Sequence, residues 1–194
     1  MYTIELDPNK TFFTSDLHFN HFNICKYCHR PFETRQEMNQ TLIDNWNNAV
    51  PDDSIVVCCG DFTLEHKENL KGYEKLASKL NGRILLVRGN HDRVPLVTED
   101  VPGSKFIAIV DLAMLHIDGI KIMASHYPLL AYPANYQVFG HVHTMADGLV
   151  HGTDGPIMNK LTKTQYDVGV DQNNFTPISY WQLCDIFTAK NNGN

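Results

Sequence analysis

Two uninterrupted apolar runs, "SIVVCCG" (Ser54 to Gly60) and "RILLVRG" (Arg83 to Gly89), constrain the fold of this chain most. A strand with one face in water alternates polar and apolar residues; a run without alternation is buried on both faces, the habit of parallel sheets covered on each side. Each run halts at a polar cluster: Asp61 after the first and "NHD" (Asn90 to Asp92) after the second. The shorter run "KTFFTS" (Lys10 to Ser15) halts at Asp16 in the same way. Helix signals lie between the runs. Thr34 followed by Glu37 forms a capping box, and Met38, Leu42, Trp46 and Ala49 recur at helical spacing, so a helix is expected over Thr34 to Ala49. A second is expected from about Glu65 to Leu80, with Asn81-Gly82 as its left-handed stop. Such repetition indicates an α/β protein, whose sites gather beyond the carboxyl ends of the strands.

The second half changes character. "KFIAIV", "MLHI" and "IKIMAS" read as short strands, the last two joined by a hairpin turn at Asp118-Gly119, and "YQVFG" and "QYDVGV" read as further strands. "SYWQLCDIF" reads as a closing helix or strand, and Trp46 and Trp181 are expected in the core. Two sheets packed face to face with helices outside accommodate these elements. At 194 residues the chain can bury one substantial core and is short for two, so residues 1–194 are expected to form a single domain.

The 16 basic and 22 acidic side chains leave a net charge of −6, which provides no extended surface for nucleic acid or anionic membranes. No apolar run approaches the ~20 residues that span a bilayer, and "MYTIELDPNK" lacks the basic and apolar regions of a signal peptide, so a cytoplasmic protein without a membrane partner is expected. The cysteines (Cys25, Cys28, Cys58, Cys59 and Cys184) are odd in number and are read as reduced thiols, with Cys58 and Cys59 serving as small strand residues. Oligomeric state is open, a homodimer included.

The stretch "SDLHFNHFNICKYCHR" (Ser15 to Arg30) holds an aspartate, three histidines and two cysteines. Its second half, C-x-x-C-H, has the spacing of a covalent haem attachment, and its first half, D-x-H, offers a hard oxygen beside an imidazole. Haem attachment implies export, which nothing here supports, and a zinc site would have to recruit Cys184 or His66 as loose partners. Cys25, Cys28 and His29 are therefore read as an ordinary loop or helix start, and the metal is assigned to the D-x-H half. His29, His66, His116 and His151 have no motif context and read as structural or exposed.

The chemistry-bearing residues share one placement. Asp16 and His18, Asp61, and Asn90 with His91 each follow a strand in the first half; His126 follows "IKIMAS", and His141 and His143 ("GHVH") follow "YQVF". Two aspartates, one amide and four imidazoles without a thiolate suit hard or borderline divalent ions, Mn²⁺ first, with Fe, Zn²⁺, Co²⁺ or Ni²⁺ as alternatives. Seven ligands exceed one ion's needs. Two ions ~3.5–4 Å apart could share them if one carboxylate bridges, an arrangement suited to displacement at phosphorus.

The ordered blocks "DLH", "GD", "GNHD", "H" and "GHVH", from residue 16 to residue 143, resemble the five signature blocks of the calcineurin-like metallophosphoesterase superfamily. The closing "YDVGVDQNNFTPIS" is similar to the C-terminal segment of its small bacterial and phage members. The resemblance implies a four-layer α-β-β-α sandwich. It implies one metal on Asp16, His18, Asp61 and His143 and another on Asp61, Asn90, His126 and His141, with Asp61 bridging. It implies hydrolysis of a phosphodiester or phosphomonoester by a hydroxide shared between the ions, attacking phosphorus in line, with His91 facing the substrate and assisting the leaving group and Asp92 supporting His91. Asn20, His21 and Arg93 are candidate substrate contacts.

Members acting on phosphoproteins continue the second block as G-D-x-V-D-R-G, whose arginine grips phosphate, whereas "GDFTLEH" has Leu64 and no nearby arginine. The expected partner is a small phosphoester, a nucleotide or cyclic nucleotide among the options. Two other classes compete: a non-catalytic metal-binding module on the same fold, which in relatives of that kind has lost ligands, and a haem electron carrier. Here every ligand position is filled.

Overall fold

The computed structural model describes residues 1–64, 70–145 and 161–192. Among the described residues ten strands form two five-stranded sheets. One has the order β10-β2-β3-β4-β5, from β2 (Thr11–Thr14), β3 (Ile55–Cys58), β4 (Arg83–Val87), β5 (Phe106–Val110) and β10 (Ile178–Ser179). Its β2, β3, β4 and β5 run parallel and β10 runs antiparallel to β2. The other has the order β1-β6-β7-β8-β9, from β1 (Tyr2–Leu6), β6 (Ala113–Ile117), β7 (Ile120–Ala124), β8 (Tyr136–Phe139) and β9 (Gln165–Asp167). Here only the β6–β7 hairpin is antiparallel. Its turn carries positive φ at both Asp118 (51°) and Gly119 (74°), the twist a two-residue hairpin needs.

The unbroken apolar runs are explained by what lies on each face. Val56 and Cys58 of β3 and Ile84 and Leu86 of β4 join one core with Met38, Leu42, Trp46, Tyr73 and Phe106. Their neighbours Val57, Cys59, Leu85 and Val87 join a second core with Ala113, Leu115, Ile122, Ala124 and Val138 of the facing sheet. This is an α/β fold of two mixed sheets with flanking helices, as the sequence resemblance implies. The helix α2 (Arg35–Ala49), preceded by the short α1 (Asn23–Tyr27), is capped as expected: Thr34 Oγ1 accepts from Glu37 N at 3.1 Å. The Glu37 carboxylate reaches back to Glu33 N rather than to the cap residue.

Several expectations need revision. The second helix, α3, spans Leu70–Ala77 and ends before Leu80, while the expected start at Glu65, like His66 and His151, lies outside the described residues. Gly82 still adopts the left-handed turn (φ 71°) that leads into β4. Strand β1 was not anticipated: "YTIEL" is a half-exposed edge strand without the apolar density of β3 or β4. "SYWQLCDIF" divides between the last residue of β10 and the helix α4 (Tyr180–Asn192). Trp46 is fully buried, its Nε1 donating to Asn81 O at 2.9 Å. Trp181 is 48% exposed, because Tyr180, Leu183 and Phe187 form the buried face of α4. Among the described residues no helix is long and apolar enough to cross a membrane.

The core position Leu42 and the surface position Leu130 test this layering. Leu42→Ala is expected to lower the unfolding free energy by about 2–5 kcal/mol in urea titrations, through lost burial and the cavity left behind. Leu130→Ala, at a 96% exposed position, should stay within about 0.5 kcal/mol of the parent.

Candidate metal centre

The site stands where the carboxyl ends of parallel strands from both sheets meet. Beyond β2 and β9 the chains continue side by side, Ser15 bridging Gly169 in parallel, with Val170 N donating to Ser15 O at 3.1 Å. Asp16 N donates to Gly60 O, His18 N to Asp61 O, and Gly140 N to His126 O, so each ligand-bearing loop is stitched to its neighbour. The backbone is held in unusual shapes to do this. Asp16, His18, Asp61, His141 and His143 have φ of 56°, 52°, 51°, 71° and 49°. Left-handed backbone is costly for residues other than glycine and persists where surrounding structure enforces it, often at functional sites. Close approach also demands glycines: a Cβ on Gly60 would lie 2.6 Å from both Gly89 N and His126 Nδ1, and one on Gly140 would strike Ser15 Oγ and Asp16 Oδ2.

Each aspartate uses one oxygen to fix a loop and turns the other to the centre. Asp16 Oδ2 accepts from His141 N and Asp61 Oδ1 from His91 N, both at 2.9 Å. Asp16 Oδ1 then lies 3.8 Å from His143 Nε2 and 4.0 Å from His18 Nε2. Asp61 Oδ2 lies 3.4 Å from His18 Nε2, 3.6 Å from His126 Nε2 and 4.0 Å from His91 Nε2. Candidate ligand atoms of Asp16, His18 and His143, of His18, Asp61 and His91, and of Asp61, His126 and His141 each fall within 4.8 Å of one another. Asn90 Oδ1 sits 3.0 Å from His126 Nε2. All seven sequence-derived ligand candidates and His91 are thus brought together.

The electrostatics of this cluster call for cations. Asp16 Oδ1 and His18 Nε2 are buried with no hydrogen-bond partner among the described residues, a costly condition for polar atoms unless something else satisfies them. Burial, reinforced by the neighbouring Asp16, pushes the Asp61 carboxyl up to about 7. Burial and the charges of His143 and Arg30 hold the His18 imidazole well below its ordinary value, leaving it neutral and able to ligate. Two inward carboxylate oxygens beside a neutral His18 fit divalent cations of hard or borderline character, and His143, which Asp16 and Asp171 push well above the ordinary imidazole value despite its burial, must give up a proton to join them.

The remaining candidates are placed differently. His21 packs at the cluster, its ring 5.3 Å from that of His18 and 5.6 Å from that of His91. Asn20 is turned to Asn39, donating its backbone N–H to Oδ1 and accepting from Nδ2. Arg93 is exposed. The expected support of His91 by Asp92 is corrected: the buried Asp92 carboxylate accepts from Gly89 N, Phe62 N and Tyr73 Oη, and so shapes the loop rather than the imidazole. Sequence reasoning missed Tyr127, whose ring packs on His126 and His141 with centroids 4.9 and 4.5 Å away. It also missed Asp171, 2.8 Å from His143 Nδ1, and Arg30, which holds Asp171. The only signal for Asp171 was its position directly after "QYDVGV", which the sequence reads as a strand and of which the structure forms Gln165–Asp167. Cys25 and Cys28 are free thiols in the helix-side core.

This combination of fold and site belongs to a family. Residues 10–161 match the model of the calcineurin-like phosphoesterase superfamily domain, and the chain is a member of that superfamily. It is 38% identical over 177 residues to the uncharacterized protein MJ1445 of Methanocaldococcus jannaschii, covering 90% of this chain and 89% of that one. The crystal structure of the protein of unknown function AQ665 from Aquifex aeolicus has the same fold, with a TM-score of 0.65 at 22% identity over 94% of this chain and 100% of that one.

Because a ligating carboxylate must be deprotonated, cation uptake has to displace the proton that burial keeps on Asp61 up to about pH 7. Mn²⁺ affinity is therefore expected to drop by about tenfold or more per pH unit as the pH falls below neutrality, the more so because His143, raised well above the ordinary imidazole value by Asp16 and Asp171, must also release a proton to ligate. Calorimetric titrations in buffers of different protonation enthalpy should register released protons; an affinity independent of pH would contradict this.

Proposed function

We propose that this chain is a metal-dependent hydrolase of small phosphoesters working through a dinuclear centre. The observation that carries the reading is a run of overlapping clusters, Asp16–His18–His143 joined through His18 to Asp61 and Asp61 in turn to His126 and His141, with Asp16 Oδ1 and His18 Nε2 buried and unpartnered among the described residues. Asp16, His18, Asp61 and His143 would hold one ion and Asp61, Asn90, His126 and His141 the other, with Mn²⁺ as the preferred metal. When bound, such a pair neutralises phosphoryl oxygens and lowers the pKa of water towards neutrality.

The chain's own groups direct the rest. His91 stands at the rim with its side chain 36% exposed, the best placed imidazole to meet a substrate. Burial and the neighbouring His126 and His143 lower its pKa, so at neutral pH it acts as a neutral N–H donor to the departing oxygen. Asn90 contributes an amide oxygen without negative charge, which keeps the site attractive to an anion. Tyr127, 47% exposed, lines the rim on the opposite side and approaches Asn90 Oδ1 at 3.4 Å. No arginine follows Asp61 to grip a phosphoprotein, which favours small mono-, di- or cyclic phosphoesters, nucleotides among them. A cytoplasmic setting is supported by the five free thiols.

Mn²⁺-reconstituted protein is expected to hydrolyse an aryl phosphodiester or monoester. Turnover should be abolished in Asp61→Ala and reduced about 10²–10⁴-fold in His91→Ala. Undiminished turnover in either variant would overturn the assignment, and a panel of mono-, di- and cyclic phosphoesters would rank the substrates.

A further inference from the structure

The "CKYCHR" stretch, which no haem reading accounts for, delivers two side chains to the back of the metal centre: Cys28, whose sulfur lies within 4.8 Å of ligand atoms of His143 and Asp171, and Arg30. Arg30 has a fully buried guanidinium at the end of the turn that follows α1. Its Nε donates to Asp171 Oδ1 at 2.7 Å and its Nη2 to Asp171 Oδ2 at 2.9 Å, a two-pronged pairing. The same guanidinium also donates from Nη2 to Asp16 O at 2.7 Å and from Nη1 to Leu17 O at 3.1 Å. Arg30 therefore grips the left-handed "DLH" loop and the carboxylate of Asp171 at once.

Asp171 passes this hold to the centre. Its Oδ2 lies 2.8 Å from His143 Nδ1, on the far side of a ring whose Nε2 is 3.8 Å from Asp16 Oδ1. A carboxylate accepts and does not donate, so Nδ1 of the ring must carry a proton, which leaves Nε2 as the nitrogen that gives a lone pair to a cation once it is deprotonated. His126 is set in the same sense, its Nδ1 lying 2.8 Å from Cys59 O, but its anchor is a neutral backbone carbonyl.

We propose that Arg30 and Asp171 are positioning residues that fix the tautomer and orientation of His143 for cation binding, while holding Asp16 and His18 in register with it. This rests on the dinuclear reading above and adds a part to it. A pair serving stability alone would explain the Arg30–Asp171 contact, but not the simultaneous grip on the two carbonyls of the ligand loop and on the back of the His143 ring. Outer partners that orient a ligating histidine typically contribute 10–100-fold to metal affinity.

The test uses the full chain, stripped with chelator and titrated with Mn²⁺ by calorimetry, alongside long-range ¹H–¹⁵N spectra of the Zn²⁺-loaded protein. In the parent, His143 should show the Nδ1–H tautomer. Asp171→Asn should weaken Mn²⁺ binding by about 10–100-fold and mix the His143 tautomers, while the His126 signals stay in place. Arg30→Lys, which keeps the charge but loses the fork, should move both readouts in the same direction. A parent spectrum with the His143 proton on Nε2 overturns the proposal without any variant having to fold. So does a folded Asp171→Asn protein whose Mn²⁺ affinity stays within about twofold of the parent. A parent chain that takes up neither Mn²⁺ nor Zn²⁺ overturns the dinuclear reading and the relay together, whereas equal binding by parent and variant overturns the relay alone.

Discussion

Burying two carboxylates side by side is the constraint on which the rest of this structure depends. Asp16 and Asp61 are 0% and 2% exposed and turn one oxygen each towards the same cluster of imidazoles. Like charges taken out of water raise each other's energy, and a proton or a cation must relieve them. The surrounding backbone is organised to keep them there regardless. Five ligand-candidate residues with positive φ, each costing of order 1–3 kcal/mol, are held by apolar cores on both faces of the sheet that carries Asp16 and Asp61.

The two-sheet architecture makes such a cluster attainable. A single parallel sheet offers its loops along one line, but here strand ends of two sheets are drawn together where Ser15 meets Gly169. Loops from β2, β3 and β4 then face loops from β7 and β8 across a short gap. The glycines Gly60, Gly89 and Gly140 are where this approach is tightest, and any side chain there would occupy space already held by the ligand residues or their backbone.

What could be read from the sequence follows from which interactions are local. The ligand candidates were legible because each directly follows an apolar strand, and the two-faced burial of β3 and β4 was legible from their unbroken hydrophobicity. Strand β1 was not, because its alternating exposure looks like ordinary surface until β6 is beside it. Arg30 and Asp171 are separated by 141 positions, and no spacing rule connects a residue after a short helix to one near the C-terminus. Asp92 shows the converse. Its place within "GNHD" suggested support of the adjacent imidazole, yet at close range its carboxylate meets two backbone donors and the Tyr73 hydroxyl.

Charge balance links these parts to the chemistry. Two divalent cations would carry four positive charges, of which Asp16 and Asp61 cancel two, and the neutral Asn90, His18, His126, His141 and His143 cancel none. Asp171 would erode the remainder if it stood alone behind His143, but the buried Arg30 guanidinium offsets its charge while leaving its hydrogen bond to Nδ1 intact. Asp92 is held apart from the cluster by its own donors and by burial, which raises its pKa. In the proposed dinuclear state the surplus positive charge would face the rim at His91 and Tyr127. An anionic phosphoryl group approaching from solvent would meet it there, beside the half-exposed imidazole of His91.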